Sequence, residues 1–196
     1  MRLLEIAERS IGKLETAGPN RGPAVDSMRS FVSPSIATSP VAWCASFVFW
    51  ALRSANGMTR RQVTAALEFA EPWYPESCDS WLQNARDNTG IGPDKSVGAS
   101  IVQAPKPGDL FLWMRRQDLP GGRVAYSKVD AIHIGFVVAP PTGPGARFPT
   151  IEGNTCPEED GDGRASREGT GVYHRSRTWS PGGIIWIGLP DSLKGL

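Results

Sequence analysis

The apolar rhythm of the chain changes near Pro107, and this change constrains the fold more than any other feature. Upstream, hydrophobic residues recur at three- and four-residue spacing; downstream, they come in short runs of β-branched and aromatic residues separated by Gly and Pro clusters. Helices first and strands second predict an α+β domain, with N-terminal helices packed on a C-terminal, mostly antiparallel β-sheet. At 196 residues the chain is expected to form a single domain over 1–196, long enough to bury a core without metals or disulfides.

Residues 3–14 place Leu3, Ala7, Ile11 and Leu14 on one helical stripe, with Arg9 and Lys13 on another side. TAGPNRGP at 16–23 is a loop, and a short helix follows over 24–32. The helix of 39–53 is expected to open at Ser39 and Pro40 and to close before the turn SANG. Thr59 and Gln62 form a capping-box pattern that starts a helix running to about residue 70. A further helix is expected over 78–87, and strands over 110–114, 131–138, 148–152, 171–176 and 183–188, leaving long loops at 116–129 and 153–170.

Twenty-one basic residues against twenty acidic ones give no electrostatic footprint for nucleic acid. No run approaches the roughly 20 apolar residues that span a bilayer, so no membrane partner is expected. Glu5, Glu8 and Glu15 interrupt the N-terminal stretch and argue against a Sec signal, so synthesis in the cytoplasm is expected, with export or lysis needed for any action outside it. Of seven tryptophans, Trp43, Trp50, Trp81 and Trp186 fall in periodic apolar segments and read mostly as core. The acidic run 158–163 lacks a full calcium loop and reads as a solvated loop.

Three cysteines, Cys44, Cys78 and Cys156, fit neither an even disulfide framework nor a zinc spacing, although a Cys78–Cys156 disulfide stays open for an oxidising compartment. Cys44 has two readings. It shares a helical stripe with Phe47, Val48 and Ala51, as a small core residue would. It also lies near a helix N-terminus, where the dipole favours a thiolate and main-chain N–H groups could hold an oxyanion. Cys156, in an acidic loop, is the less attractive nucleophile. In AIHIGFVV the alternation puts His133 among Ala131, Gly135 and Val137, opposite Ile132, Ile134, Phe136 and Val138. Glu152 and Asn154 in IEGNT are two apart and share a face by the same rule, so either could hydrogen-bond the imidazole across paired strands. His174, in VYHRSR, has no such companions and reads as structural or surface.

Taken in order, WCASFV (43–48), PKPGDLFLW (105–113), HIGFVV (133–138) and IEGNT (151–155) resemble the successive motifs of CHAP domains, the cysteine, histidine-dependent amidohydrolases/peptidases. The stretch 12–25 and the late strands GVYHRSR and GGIIWIG are also similar to pieces of that family, so the likeness runs along nearly the whole chain. Trp43 and Ala45 around the cysteine favour CHAP over the related NlpC/P60 branch.

The resemblance implies a papain-like fold. It carries Cys44 over as nucleophile, His133 as general base, Glu152 as the residue orienting the imidazole and Asn154 as a supporting polar group, with no metal or other cofactor. It also implies peptidoglycan as substrate, cut at the muramoyl-L-alanine amide or within the peptide stem or cross-bridge. Asn20 and Arg21, on the loop before the nucleophile, and Trp43 beside it are placed as substrate-binding residues. The expected protein is a monomer, whose partners would be an immunity protein or a secretion or holin delivery system. An amidase or deamidase on a non-wall substrate is the enzymatic alternative, and a non-catalytic wall-binding module is the alternative of another class.

Overall fold

A computed structural model of the chain describes residues 2–39, 41–70, 73–89, 98–157 and 169–195. It is α+β. Among the described residues six helices precede or flank a six-stranded antiparallel sheet: α1 (Arg2–Glu8), α2 (Pro23–Val32), α3 (Cys44–Asn56), α4 (Arg60–Leu67), α5 (Cys78–Thr89) and α6 (Asp191–Lys194). The strands are β1 (Ser100–Val102), β2 (Leu110–Leu119), β3 (Arg123–Val137), β4 (Arg147–Thr155), β5 (Gly171–Thr178) and β6 (Ile184–Gly188), in sheet order β1-β6-β2-β3-β4-β5. No helix among the described residues is long and apolar enough to cross a membrane.

Strand alternation sorts the sheet residues onto two faces. Leu110, Leu112, Ile134, Phe136, Ile151 and Ile187 join the core beneath the helices. Phe111, Val137, Phe148, Ile184 and Trp186 form a second apolar cluster on the opposite face. Burying side chains of this size contributes about 1.5–3 kcal/mol each, so both faces stabilise the sheet. Helix α3 lies at the centre, packed against α1, α2, α6, β3 and β4. Every residue from Trp43 to Phe49 is buried, a helix end enclosed on all sides rather than on one stripe.

Several elements depart from the pattern read in the sequence. The helix expected over 3–14 stops at Glu8: Gly12 adopts φ 80°, its N–H donates to the Val172 carbonyl, and Leu14 bridges Gly171 on β5. Main-chain bonding to the sheet edge replaces the last helical turns, and Leu14 is left 42% exposed. Helix α3 begins at Cys44, not at Ser39; Pro40 lies outside the described residues. The helix also runs past the expected close, through Ser54, Ala55 and Asn56 of SANG, and ends at Gly57 in the left-handed region. Helix α4 carries the expected capping box, Thr59 accepting from the Gln62 N–H while the Gln62 side chain accepts from the Thr59 N–H.

The loop expected over 116–129 is instead the far half of the β2–β3 hairpin, paired to Leu119↔Arg123 around Pro120–Gly122. Its residues are largely solvated on both faces, so the apolar alternation that marks a half-buried strand is missing there. The acidic run 158–163, with most of the 153–170 segment, lies outside the described residues. Of the four tryptophans read as core, Trp43, Trp81 and Trp186 are buried, whereas Trp50 is half-buried.

Candidate active site

Cys44 is the first residue of α3, and Trp43 before it offers no side-chain cap. The first intrahelical bond runs from the Phe47 N–H to the Trp43 carbonyl at 2.9 Å, so the N–H groups of Cys44, Ala45 and Ser46 lie ahead of the ladder. The sulfur thus sits at the positive end of the helix beside main-chain donors.

Strand β3 brings His133 to this point. Strands β3 and β4 pair only at Phe136↔Ile151 and Val137↔Thr150; Gly135, His133 and the residues from Glu152 onward lie past the last pair. Helix α3 packs against both strands where they part, and a Cβ on Gly153 would stand 2.6 Å from the Phe47 Cβ. His133 lies on the sheet face turned from the helices, its ring 6.2 Å from that of Phe111, and hydrogen-bonds Cys44. In the register of β3 and β4, Glu152 falls opposite Gly135, where a Cβ would come within 2.8 Å of the Glu152 Cγ. The carboxylate therefore crosses the glycine and reaches the ring diagonally, with His133 Nε2 and Glu152 Oε2 2.8 Å apart. Nδ1 is the ring nitrogen left for the sulfur.

Glu152 is fully buried, and two neighbours besides the histidine hold it ionised or in place. Arg177 on β5 donates from Nε to Oε1 at 2.7 Å and from Nη2 to Oε2, a bidentate pair, and Thr150 Oγ1 donates to Oε1 at 2.5 Å. The guanidinium also lies over Trp113, 4.9 Å from the ring centroid. Cys44, His133, Glu152 and Arg177 form a line of groups whose charges alternate when the thiol is ionised.

Burial opposes ionisation of the Glu152 carboxyl, but Arg177 and then His133 outweigh it and hold the carboxyl well below the usual carboxylate range. Burial likewise disfavours a charged His133; the Cys44 sulfur and the Glu152 carboxylate prevail and push it up to about 9. Cys44 lies well below the ordinary thiol value. The Cys78 thiol contributes most by hydrogen-bonding the sulfur, burial works against this, and the charge and hydrogen bond of His133 with the Ile134 main chain reinforce the lowering. These directions agree on a thiolate–imidazolium pair near neutrality.

The structure thus brings together Cys44, His133 and Glu152. Asn154 is buried on β4, but the expectation that it shares a face with Glu152 is corrected: its φ is 56°, at a register shift between Glu152 and Thr155. The bulge interrupts the period of two on which that expectation rests. Of the three residues placed for substrate binding, Trp43 and Asn20 are buried, whereas Arg21 keeps part of its side chain exposed. Trp43 is wholly buried and donates from Nε1 to Glu15 Oε1 at 2.8 Å. The Asn20 N–H donates to the other Glu15 oxygen at 2.6 Å, its carbonyl accepts from Arg29, and Arg21 pairs with Asp26. These contacts tie the loop of 16–22 to the entry of α3, a scaffold role. His174 is exposed and pairs with Glu8, as a surface residue would.

Family models, curated proteins and solved structures all gave no match to this chain. The functional reading therefore stands on the residues themselves.

Sequence reasoning missed Arg177, Thr150 and Cys78. Arg175 and Arg177 alternate on β5 and both are buried, a pattern that called for an acidic partner, but HRSR reads in sequence as an ordinary solvated strand. Cys78, paired provisionally with Cys156, presents its sulfur 3.7 Å from that of Cys44. Among the described residues no cluster of three or more His, Cys, Asp or Glu could hold a metal ion.

Proposed function

We propose that this protein is a cysteine amidohydrolase of papain-like organisation that cleaves an amide bond of peptidoglycan. The observation that carries the reaction type is the line Cys44–His133–Glu152, with the sulfur at a helix N-terminus and the carboxylate fixed by Arg177. The peptidoglycan assignment rests on the CHAP-like order of WCASFV, HIGFVV and IEGNT.

In this reading the Cys44 thiolate attacks the amide carbonyl carbon, and the carbonyl oxygen takes up the electron pair. The N–H groups at the start of α3 stabilise that oxyanion; a single donor of this kind is worth about 2.7–4 kcal/mol of barrier where it has been removed by mutation. The C–N bond then breaks, and the departing amine takes the proton from His133, leaving a thioester on Cys44. Water, giving its proton to the now neutral imidazole, attacks the thioester and expels the thiolate, which restores the ion pair. Glu152 keeps the ring oriented and stabilises its positive charge throughout, and it stays ionised because Arg177 does not let it accept the proton.

The test is digestion of purified sacculi and of defined muropeptides, with products read by mass spectrometry for native protein and Cys44→Ala. New amine and carboxylate termini at one bond, absent with the variant, are expected. A native protein that alkylates rapidly at Cys44 yet releases nothing from several wall chemotypes would overturn the substrate; the same protein inert toward all amides would overturn the enzyme.

A further inference from the structure

The hydrolytic cycle does not consume Cys78, although the fold holds it beside the nucleophile. Cys78 is the first residue of α5, as Cys44 is of α3, so two helix N-termini converge with a cysteine at each. The two sulfurs are 3.7 Å apart, 34 residues apart in sequence, and the residues are only 4% and 8% exposed. The start of α5 is anchored at the site itself: the Ala131 N–H, two residues before His133, donates to Asp79 Oδ1 at 2.6 Å. Cys78 is therefore placed by the strand that carries the histidine. A disulfide needs the sulfurs at about 2.05 Å, roughly 1.7 Å closer than here.

We propose that Cys44 and Cys78 form a reversible dithiol–disulfide switch that shuts off the nucleophile under oxidation; this rests on the reading of Cys44 as the nucleophile. With a peroxide as oxidant, the Cys44 thiolate attacks one peroxide oxygen and the O–O bond breaks, giving a sulfenic acid and hydroxide. The Cys78 sulfur then attacks the sulfenyl sulfur, forming the S–S bond and breaking the S–O bond. The departing hydroxide leaves as water with the Cys78 proton. Two thiols are oxidised and one peroxide is reduced. A small dithiol reverses the step by exchange, becoming a disulfide itself and returning both cysteines to thiols. Burial admits a small oxidant, and the adjacent second thiol captures the sulfenic acid before it advances to the irreversible sulfinic stage.

The experiment is non-reducing peptide mapping by mass spectrometry of the full-length protein after graded hydrogen peroxide, with and without dithiothreitol, alongside wall hydrolysis. Native protein and Cys156→Ser should each yield a Cys44–Cys78 linked peptide lighter by two hydrogens, and native wall hydrolysis should fall in proportion to the linked fraction and return with dithiothreitol. Cys78→Ala and Cys78→Ser, each checked for folding by circular dichroism, should instead carry two or three added oxygens at Cys44 that dithiothreitol does not remove. Native protein that goes directly to those oxygenated forms, or that links Cys78 to Cys156, overturns the switch. The link is read without substrate. A linked protein whose reduced form cuts no wall refutes the hydrolase and leaves the thiol pair standing, whereas an active hydrolase without the link refutes the switch alone.

Discussion

At the scale of single residues, the site is a solution to the cost of burying charge. A lone carboxylate as enclosed as Glu152 would be protonated, and a lone buried imidazole neutral. Alternating signs along Cys44, His133, Glu152 and Arg177 allow all four to stay charged. The alkylation rate of Cys44 by iodoacetamide should therefore plateau at a pH well below an ordinary thiol, and in His133→Ala the midpoint should rise while the hydrogen bond from Cys78 keeps part of the lowering. Substrate turnover, which also needs the proton on His133, should decline as pH rises through about 9. Stability follows a different profile, because the unfolded chain carries a neutral thiol and a neutral imidazole between pH 6.5 and about 9. Folding there transfers a proton from one to the other with no net uptake, so the pair's contribution should be flat across that window and should fade as pH falls below 6.5, where the unfolded imidazole binds a proton that the folded pair does not take up. Urea midpoints of native protein minus those of Cys44→Ala, taken across pH, measure it. Glu152→Gln strands the Arg177 charge and should cost about 3–5 kcal/mol in the same assay, with turnover lost as well. If stability changed by only a few tenths, the bidentate pair would not be the buried anchor described.

At the scale of elements, one glycine lets helix α3 meet the sheet and another lets Glu152 cross it. Gly153 admits the Phe47 and Trp43 side chains where β4 leaves β3, and Gly135 lets the Glu152 side chain cross β3 to the ring. Gly153→Ala places a methyl 2.6 Å from the Phe47 Cβ, so helix and strand must separate. A loss of about 1–3 kcal/mol is expected from such overpacking, with slower Cys44 alkylation in the folded protein, read by thermal unfolding and by thiol kinetics. An unchanged alkylation rate would show that α3 does not take its aim from this contact. The same region explains what periodicity left undecided. A nucleophile at the first turn of a core helix and a cysteine filling that core have one hydrophobic pattern, and here both descriptions hold, since Trp43 to Phe49 are all buried. The period of two grouped His133 with Gly135 and Val137 correctly, but it failed at Ala131, which a register shift opposite Met114 turns to the core face with Ile134. It failed again past Glu152, because bulges such as that with Asn154 at φ 56° are local backbone events that side-chain pattern does not record.

At the scale of the whole molecule, Asp109 ties together segments far apart in the chain. Its carboxylate accepts from the Lys106 N–H at 2.6 Å and the Leu189 N–H at 2.9 Å, and pairs with Lys194 of α6 at 2.5 Å, with both side chains under 5% exposed. Asp109→Ala should destabilise the fold by about 3–5 kcal/mol by leaving Lys194 buried without its carboxylate. Because its partners are Lys106, Leu189 and Lys194 and not the thiol, it should leave the Cys44 alkylation rate of folded protein unchanged; a site-like drop in that rate would merge scaffold and site. The sequence carried the order of helices and strands, the α4 start signal, and the identities of Cys44, His133 and Glu152, because periodicity, capping and motif order are local. It could not carry the Arg177 and Thr150 grip on Glu152 or the approach of Cys78 to Cys44. Those depend on which strand lies beside which and where two of them part, and such long-range registers are settled only when the two apolar faces of the sheet are buried together.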